Sequence, residues 1–151
     1  KTIDVVAGVL WHNGCFLGTQ RIRGSHAGYW EFPGGKVNQG ESRINALARE
    51  LHEELGVSIE SADLWRTITH ETDEQRINLH VYHITRFSGE PQAQEGQGMR
   101  WLTPREACCL QFLEVDMPLV RELAGEVAQP VPDVAAFGWL EQPLLEASPA
   151  V

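Results

Sequence analysis

The chain has 151 residues, with 21 acidic against 12 basic side chains and a formal net charge of −9. That length suits one domain with a core of its own, and the acidic balance excludes a nucleic-acid polymer as partner, because phosphate backbones are held by basic patches. No apolar run is long enough to span a bilayer, no signal-peptide pattern is visible, and Cys15, Cys108 and Cys109 form no C-x-x-C pair, so no membrane contact and a reducing, cytoplasmic setting are expected.

The first expected element is an apolar strand over residues 5–10. Asn13-Gly14 is a hairpin-turn signal, and residues 15–20 return as its partner. A polar, glycine-containing loop over 21–29 follows. Ser42 as N-cap and Gly56 as C′ residue bracket an amphipathic helix. Its apolar stripe is read as Ile44, Leu47, Ala48, Leu51 and Leu55, with the acidic side chains turned away from it. Residues 59–69 and 77–85 read as strands, the second from the alternation of Ile77, Leu79 and Val81. Ser88-Gly89-Glu90-Pro91 breaks the chain, and 99–102 is a short strand. Thr103-Pro104-Arg105-Glu106 is a capping box with proline in the first turn. Residues 117–127 read as the last helix. The stretch 129–151 holds four of the eight prolines, so the expected division is a domain over 1–128 and a tail over 129–151.

The chemistry concentrates in the central helix. Glu50, Glu53 and Glu54 fall within five residues, and helical neighbours three and four apart have Cβ atoms about 5–6 Å from each other. Three such charges repel unless a cation stands between them. Hard divalent ions take carboxylate oxygens and keep waters, which leaves room for substrate phosphates. Taken alone, the cluster equally describes a solvated acidic face. His26, His52, His70, His80 and His83 form no H-x-x-x-H or H-E-x-x-H spacing.

The frame around the cluster is more specific. Gly35, Glu41, Arg49-Glu50-Leu51, Glu53-Glu54 and Gly56-Val57 stand at the positions of the Nudix box, and Trp30-Glu31-Phe32-Pro33-Gly34-Gly35-Lys36 resembles the lead-in of MutT-type members. Over residues 3–125 the sequence resembles the Nudix hydrolase family. The resemblance implies an α/β fold, the α/β/α sandwich with a mixed sheet between helices. It also implies Mg²⁺ as cofactor, with Mn²⁺ as the alternative ion. The implied reaction is hydrolysis of a nucleoside triphosphate to monophosphate and pyrophosphate, in sanitation of the nucleotide pool.

The resemblance also assigns roles. Glu50, Glu53 and Glu54 hold metal, joined by the backbone carbonyl of Gly34, where glycine lets the oxygen approach the ion. Arg49 orients the glutamates, and Glu41 serves structure or metal. Glu95, with Glu90 as its local competitor, supplies a further ligand or the general base, a role a box glutamate could also take. Arg21 or Arg23 contacts phosphate or base, Lys36 contacts phosphate, and His80 lines the base pocket. Asp116 is both a helix N-cap and a base reader. Ionised, it only accepts hydrogen bonds, which favours an amino edge such as cytosine N4. The expected substrates are CTP or dCTP, or an oxidised dNTP such as 8-oxo-dGTP. ADP-ribose or dinucleoside polyphosphates are the alternative, and a non-catalytic nucleotide-binding regulator ranks below. The partner is a small nucleotide, and the protein is a monomer or homodimer.

Overall fold

Strand β1 (Thr2–His12) is the axis of the sheet in this computed structural model, which describes residues 1–71 and 73–125. The expected tail, and the last residues of the expected final helix, lie outside the described residues. Residues 5–10 of β1 are all buried, so both faces of the strand are covered and its sequence is apolar without alternation. The turn into β2 (Cys15–Gln20) places Asn13 and Gly14 at φ of 52° and 78°. Two consecutive left-handed residues are what a two-residue hairpin of this type needs.

The remaining strands assemble around this pair. Two short ones, β3 (Trp30–Glu31) and β4 (Gly34–Lys36), lie antiparallel to β2 and β1 respectively. Two long ones, β5 (Ser58–Glu71) and β6 (Arg76–Ser88), form an antiparallel pair, and β6 runs parallel to β1 with Val5 opposite Leu79. Strand β7 (Gly98–Leu102) pairs with β2. The path is β3-β2-β1-β6-β5, a mixed sheet as expected.

Alternation along β1 divides the core. Val6 and Leu10 face helix α1 (Arg43–Leu55), together with Leu47, Leu51 and Leu55. Val5 and Val9 face the other way, towards Leu113, Val115, Leu119 and Val120 around helix α3 (Met117–Leu123). The layers are those of an α/β/α sandwich. Each fully buried leucine on α1 contributes about 1.5–3 kcal/mol by leaving water. The single turn α2 (Pro104–Ala107) carries the expected capping box, with Thr103 and Glu106 bonded reciprocally.

Three expectations need correction. The strands over 59–69 and 77–85 are longer at both ends, because ladder pairing continues through polar edge residues that carry no apolar signal. Strands β3 and β4 are not among the expected elements: only two and three residues long, they are strands because β2 and β1 offer them partners. On α1, Ile44 is 44% exposed, and Ala46 is buried in its place. The buried face comprises Ala46, Leu47, Glu50, Leu51, Glu54 and Leu55. At the helical turn per residue Glu54 falls about 20° from Leu47, so two of the glutamates lie inside the apolar stripe rather than opposite it.

Candidate active site

The caps fix where α1 begins and ends. Ser42 accepts a hydrogen bond from the Asn45 N–H at 3.1 Å, and Gly56 turns the chain at φ 73°. Strand β4 then lies against the glutamate face. A Cβ on Gly35 would stand 2.4 Å from the carboxyl carbon of Glu50, so only glycine lets that carboxyl rest on the strand. A Cβ on Gly34 would stand 2.0 Å from the backbone oxygen of Val6. The close approach that demands glycine at 34 is therefore to β1.

Arg49 braces the box. Its Nε and Nη2 donate to both carboxyl oxygens of Glu41 at 2.8 and 2.9 Å. Its Nη1 donates to Glu50 Oε2 at 3.0 Å and to Glu53 Oε1 at 3.5 Å, and Nη2 reaches the Lys36 carbonyl at 3.1 Å. Glu41 also accepts the Asn38 N–H at 3.0 Å. Fork-to-carboxylate geometry of this kind fixes direction as well as energy. The Arg49 hydrogen bonds hold the Glu41 carboxyl below the usual range.

The glutamates are not equivalent. Glu53 has a half-exposed side chain, whereas Glu50 is 4% and Glu54 0% exposed. Burial pushes Glu50 up to about 7 although Arg49 opposes it. Glu54 is also raised well above the usual carboxyl range, first through burial and then through the neighbouring Glu50 charge, with Glu31 and Glu95 adding to it. Glu50 Oε1 and both oxygens of Glu54 are buried without a hydrogen-bond partner. Buried polar atoms are almost always partnered, and a carboxylate removed from water calls for a cation. Among the described residues no three acidic or imidazole groups already stand in ligating positions. A hard divalent ion takes carboxylate oxygens and keeps waters in its shell. The donor set fits a hard divalent ion.

Two further acids surround the cluster. Glu95 is partly buried in the loop before β7, and its charge is felt at Glu54. Its competitor Glu90 is exposed. Glu31, which sequence reasoning passed over, is 3% exposed and paired with Arg21 through Nε–Oε2 at 2.9 Å and Nη2–Oε1 at 3.1 Å. Burial still pushes its carboxyl up. The available signal was an acid between two core aromatics, Trp30 and Phe32, in a segment of period two. Arg21 is accordingly not an exposed cation at a mouth: it is 5% exposed, and only its Nη1 lacks a partner. Arg23 is exposed in that loop. Lys36 is half-buried, and burial together with the Lys1 charge lowers its pKa.

Asp116 departs from expectation twice. It makes no side-chain cap, because its backbone is already helical at φ −89°; its Oδ2 instead accepts the Phe32 N–H at 3.2 Å. It is fully buried, and burial, reinforced by the Glu31 charge, pushes it up to about 8. Burial therefore favours the protonated carboxyl, which donates as well as accepts, over the ionised acceptor expected. His80 is not brought to it. The His80 ring is held by Asp4 at 2.9 Å on Nε2, and by Arg43 at 2.9 Å and Thr67 at 3.2 Å on Nδ1, at the start of α1.

A carboxylate helix braced by an arginine and laid on a mixed sheet presents oxygen donors suited to a hard divalent ion. The chain matches the NUDIX domain over residues 2–123 and belongs to the Nudix family of hydrolases. It is 38% identical over 132 residues to a CTP pyrophosphohydrolase of Escherichia coli, covering 86% of this chain and 98% of that one. It is 35% identical over 128 residues to an 8-oxo-dGTP diphosphatase of Haemophilus influenzae, covering 83% and 94%. Among solved structures, a MutT studied from Aliivibrio salmonicida and Vibrio cholerae superposes with a TM-score of 0.74 at 31% identity, covering 83% and 98%. Nudix hydrolases use divalent metal ions, and no helix among the described residues is long and apolar enough to cross a membrane.

Proposed function

We propose that the protein is a Mg²⁺-dependent pyrophosphohydrolase of nucleoside triphosphates. It releases monophosphate and pyrophosphate and acts on free nucleotides in the cytoplasm, with CTP and dCTP or oxidised dNTPs such as 8-oxo-dGTP as substrates. The observation that carries this reading is the set of three buried, unpartnered carboxylate oxygens on Glu50 and Glu54. The names of the relatives support the substrate class.

A bound divalent ion would supply neutralisation of phosphate charge and a polarised water. Glu50, Glu53 and Glu54 would hold it, with the Gly34 carbonyl and Glu95 completing the set, and Mn²⁺ could substitute. Arg49 keeps the three glutamates aimed through its bonds to Glu50, Glu53 and Glu41. Glu95 serves as ligand or as the base that takes the water's proton. Arg23 and Lys36 offer cations to the phosphates, and Arg21 retains one free donor. Asp116 reads the base edge. In the protonated form that burial favours, it meets either an amino or a carbonyl edge, which keeps both cytosine and oxidised purine nucleotides open.

The test is product analysis with Mg²⁺ over CTP, dCTP, UTP, dGTP, 8-oxo-dGTP, ADP-ribose and a dinucleoside polyphosphate. Pyrophosphate release from CTP, dCTP or 8-oxo-dGTP is expected. If CTP, dCTP, dGTP and 8-oxo-dGTP all survive intact, the reading fails.

A further inference from the structure

We infer that Gln97 is a positioning residue of the hydrolytic site, its buried amide tying the Glu95 loop to the C-terminal turn of the glutamate helix. Gln97 is 5% exposed, and both ends of its amide are used. Oε1 accepts the backbone N–H of Glu95 at 2.9 Å, and Nε2 donates to the backbone carbonyl of Glu54 at 3.0 Å. One side chain therefore fixes, at the same time, the backbone of two acids, and the Glu95 charge is felt at Glu54.

The surrounding geometry points the same way. The last carbonyls of a helix have no partner within it, and here the loop supplies partners. The Glu54 carbonyl accepts the Gln94 N–H at 3.1 Å besides Gln97, and the Leu55 carbonyl accepts the Gln92 N–H at 2.9 Å. The approach is close: a Cβ on Gly56 would stand 2.9 Å from the Gln94 side-chain nitrogen. Gly96, at φ +77°, folds the chain between Glu95 and Gln97 so that the amide reaches back over its own loop. The Gln92 and Gln94 bonds are donated by backbone N–H groups, which any residue but proline provides. The Gln97 bonds need a side chain that accepts at one oxygen and donates at one nitrogen, a combination glutamate and methionine of similar length lack.

The inference rests on the proposed role of Glu95, so the experiment reads both residues. Gln97→Met, Glu95→Gln and the double variant are compared with wild type for kcat, nucleotide KM and Mg²⁺ dependence. Mn²⁺ binding without substrate is followed by electron paramagnetic resonance, and the folded fraction by thermal melting. Partners one layer behind a metal ligand typically cost ~10–100-fold in metal affinity or activity when removed. Gln97→Met is therefore expected to lose that much in kcat and to weaken Mn²⁺ binding, with KM little changed. The double variant should lose less than the product of the two single losses, since both changes act in part through Glu95 and changes that share a group are not additive. Wild-type kcat and Mn²⁺ binding in folded Gln97→Met overturn the inference, as does an activity loss that only follows the folded fraction. If Glu95→Gln is crippled in that case, the role of Glu95 stands and only the positioning falls; if Glu95→Gln is also normal, both fall. Should Gln97→Met not fold, Gln97→Glu keeps the acceptor for Glu95 but sets an oxygen against the Glu54 carbonyl. That variant must still lower kcat, and a folded, fully active Gln97→Glu overturns the inference equally.

Discussion

A carboxyl taken out of water keeps its proton unless a cation or donors replace the solvent. Glu54 is the extreme case here, fully buried with two unpartnered oxygens. In the proposed site, glutamine in its place would remove charge from a metal that acts mainly in the transition state. Glu54→Gln is expected to lower kcat at least ~10²-fold while raising the melting temperature of the metal-free protein. Glu53→Gln should lower kcat without that stability gain, because its side chain is half-exposed. Steady-state kinetics and melting curves in chelator check both, and near-normal turnover of Glu54→Gln would remove it from the metal site. Asp116 sets a second expectation. Below about pH 8 it can donate to a carbonyl edge; above, it can only accept. An opposed pair of acceptors costs about 1–3 kcal/mol, or roughly 5- to 150-fold in kcat/KM. The CTP/UTP ratio of kcat/KM should therefore climb between pH 7 and 9. In Asp116→Asn, which keeps a donor and an acceptor at every pH, the ratio should stay near the wild-type pH 7 value. A flat wild-type ratio would show that the base is read elsewhere.

At the scale of elements, the site is a contact between helix α1 and strand β4, and two adjacent glycines serve different partners. The obstacle at Gly34 is the Val6 carbonyl oxygen, a backbone atom that cannot yield. At Gly35 the obstacle is the far end of the Glu50 side chain, which can swing. Gly34→Ala is expected to destabilise the fold by about 1–3 kcal/mol or more. Gly35→Ala should melt closer to wild type but lose kcat, because Glu50 is driven from its place beside Arg49. Melting temperatures and kcat of the two variants separate the cases, and a fully active Gly35→Ala would contradict the role of Glu50. The sequence shows that these glycines matter but not to what. The pattern marks the positions, whereas the distances to Val6 and Glu50 exist only once β4 lies between β1 and α1. Helix α1 itself was legible through Ser42, Gly56 and the leucines, since caps and periodicity are local properties. The placing of Ile44 in the core was not borne out, because the end of the packing surface belongs to the sheet and not to the helix.

Across the whole molecule, buried acids set the pH response. Glu31, Glu50, Glu54 and Asp116 all hold protons more tightly folded than unfolded. Such groups lower stability as pH rises from the ordinary carboxyl range through the folded values, about 7 for Glu50 and about 8 for Asp116. Asp4, Glu41 and Glu106 are shifted down, so their contribution is lost only as pH falls below that ordinary range. In chelator the melting temperature should be higher near pH 5.5 than near pH 8. Added Mg²⁺ should raise it more at pH 8, where the ion no longer competes with protons. A metal-free protein that melts higher at pH 8 would mean that these acids are already paired or solvated.

The sequence by itself determined the family, the central helix, the hairpin and the position of the glutamate cluster within the box, because spacing, caps and turn chemistry are written along the chain. Only the tertiary structure decided that Glu50 and Glu54 are buried and Glu53 is not. It alone paired Arg21 with Glu31, took Asp116 off its cap to bind Phe32, and held His80 beside Asp4 and Arg43. Burial and ion pairing depend on what other segments bring within a few ångströms, and a charge buried by a neighbour distant in sequence leaves no periodic trace.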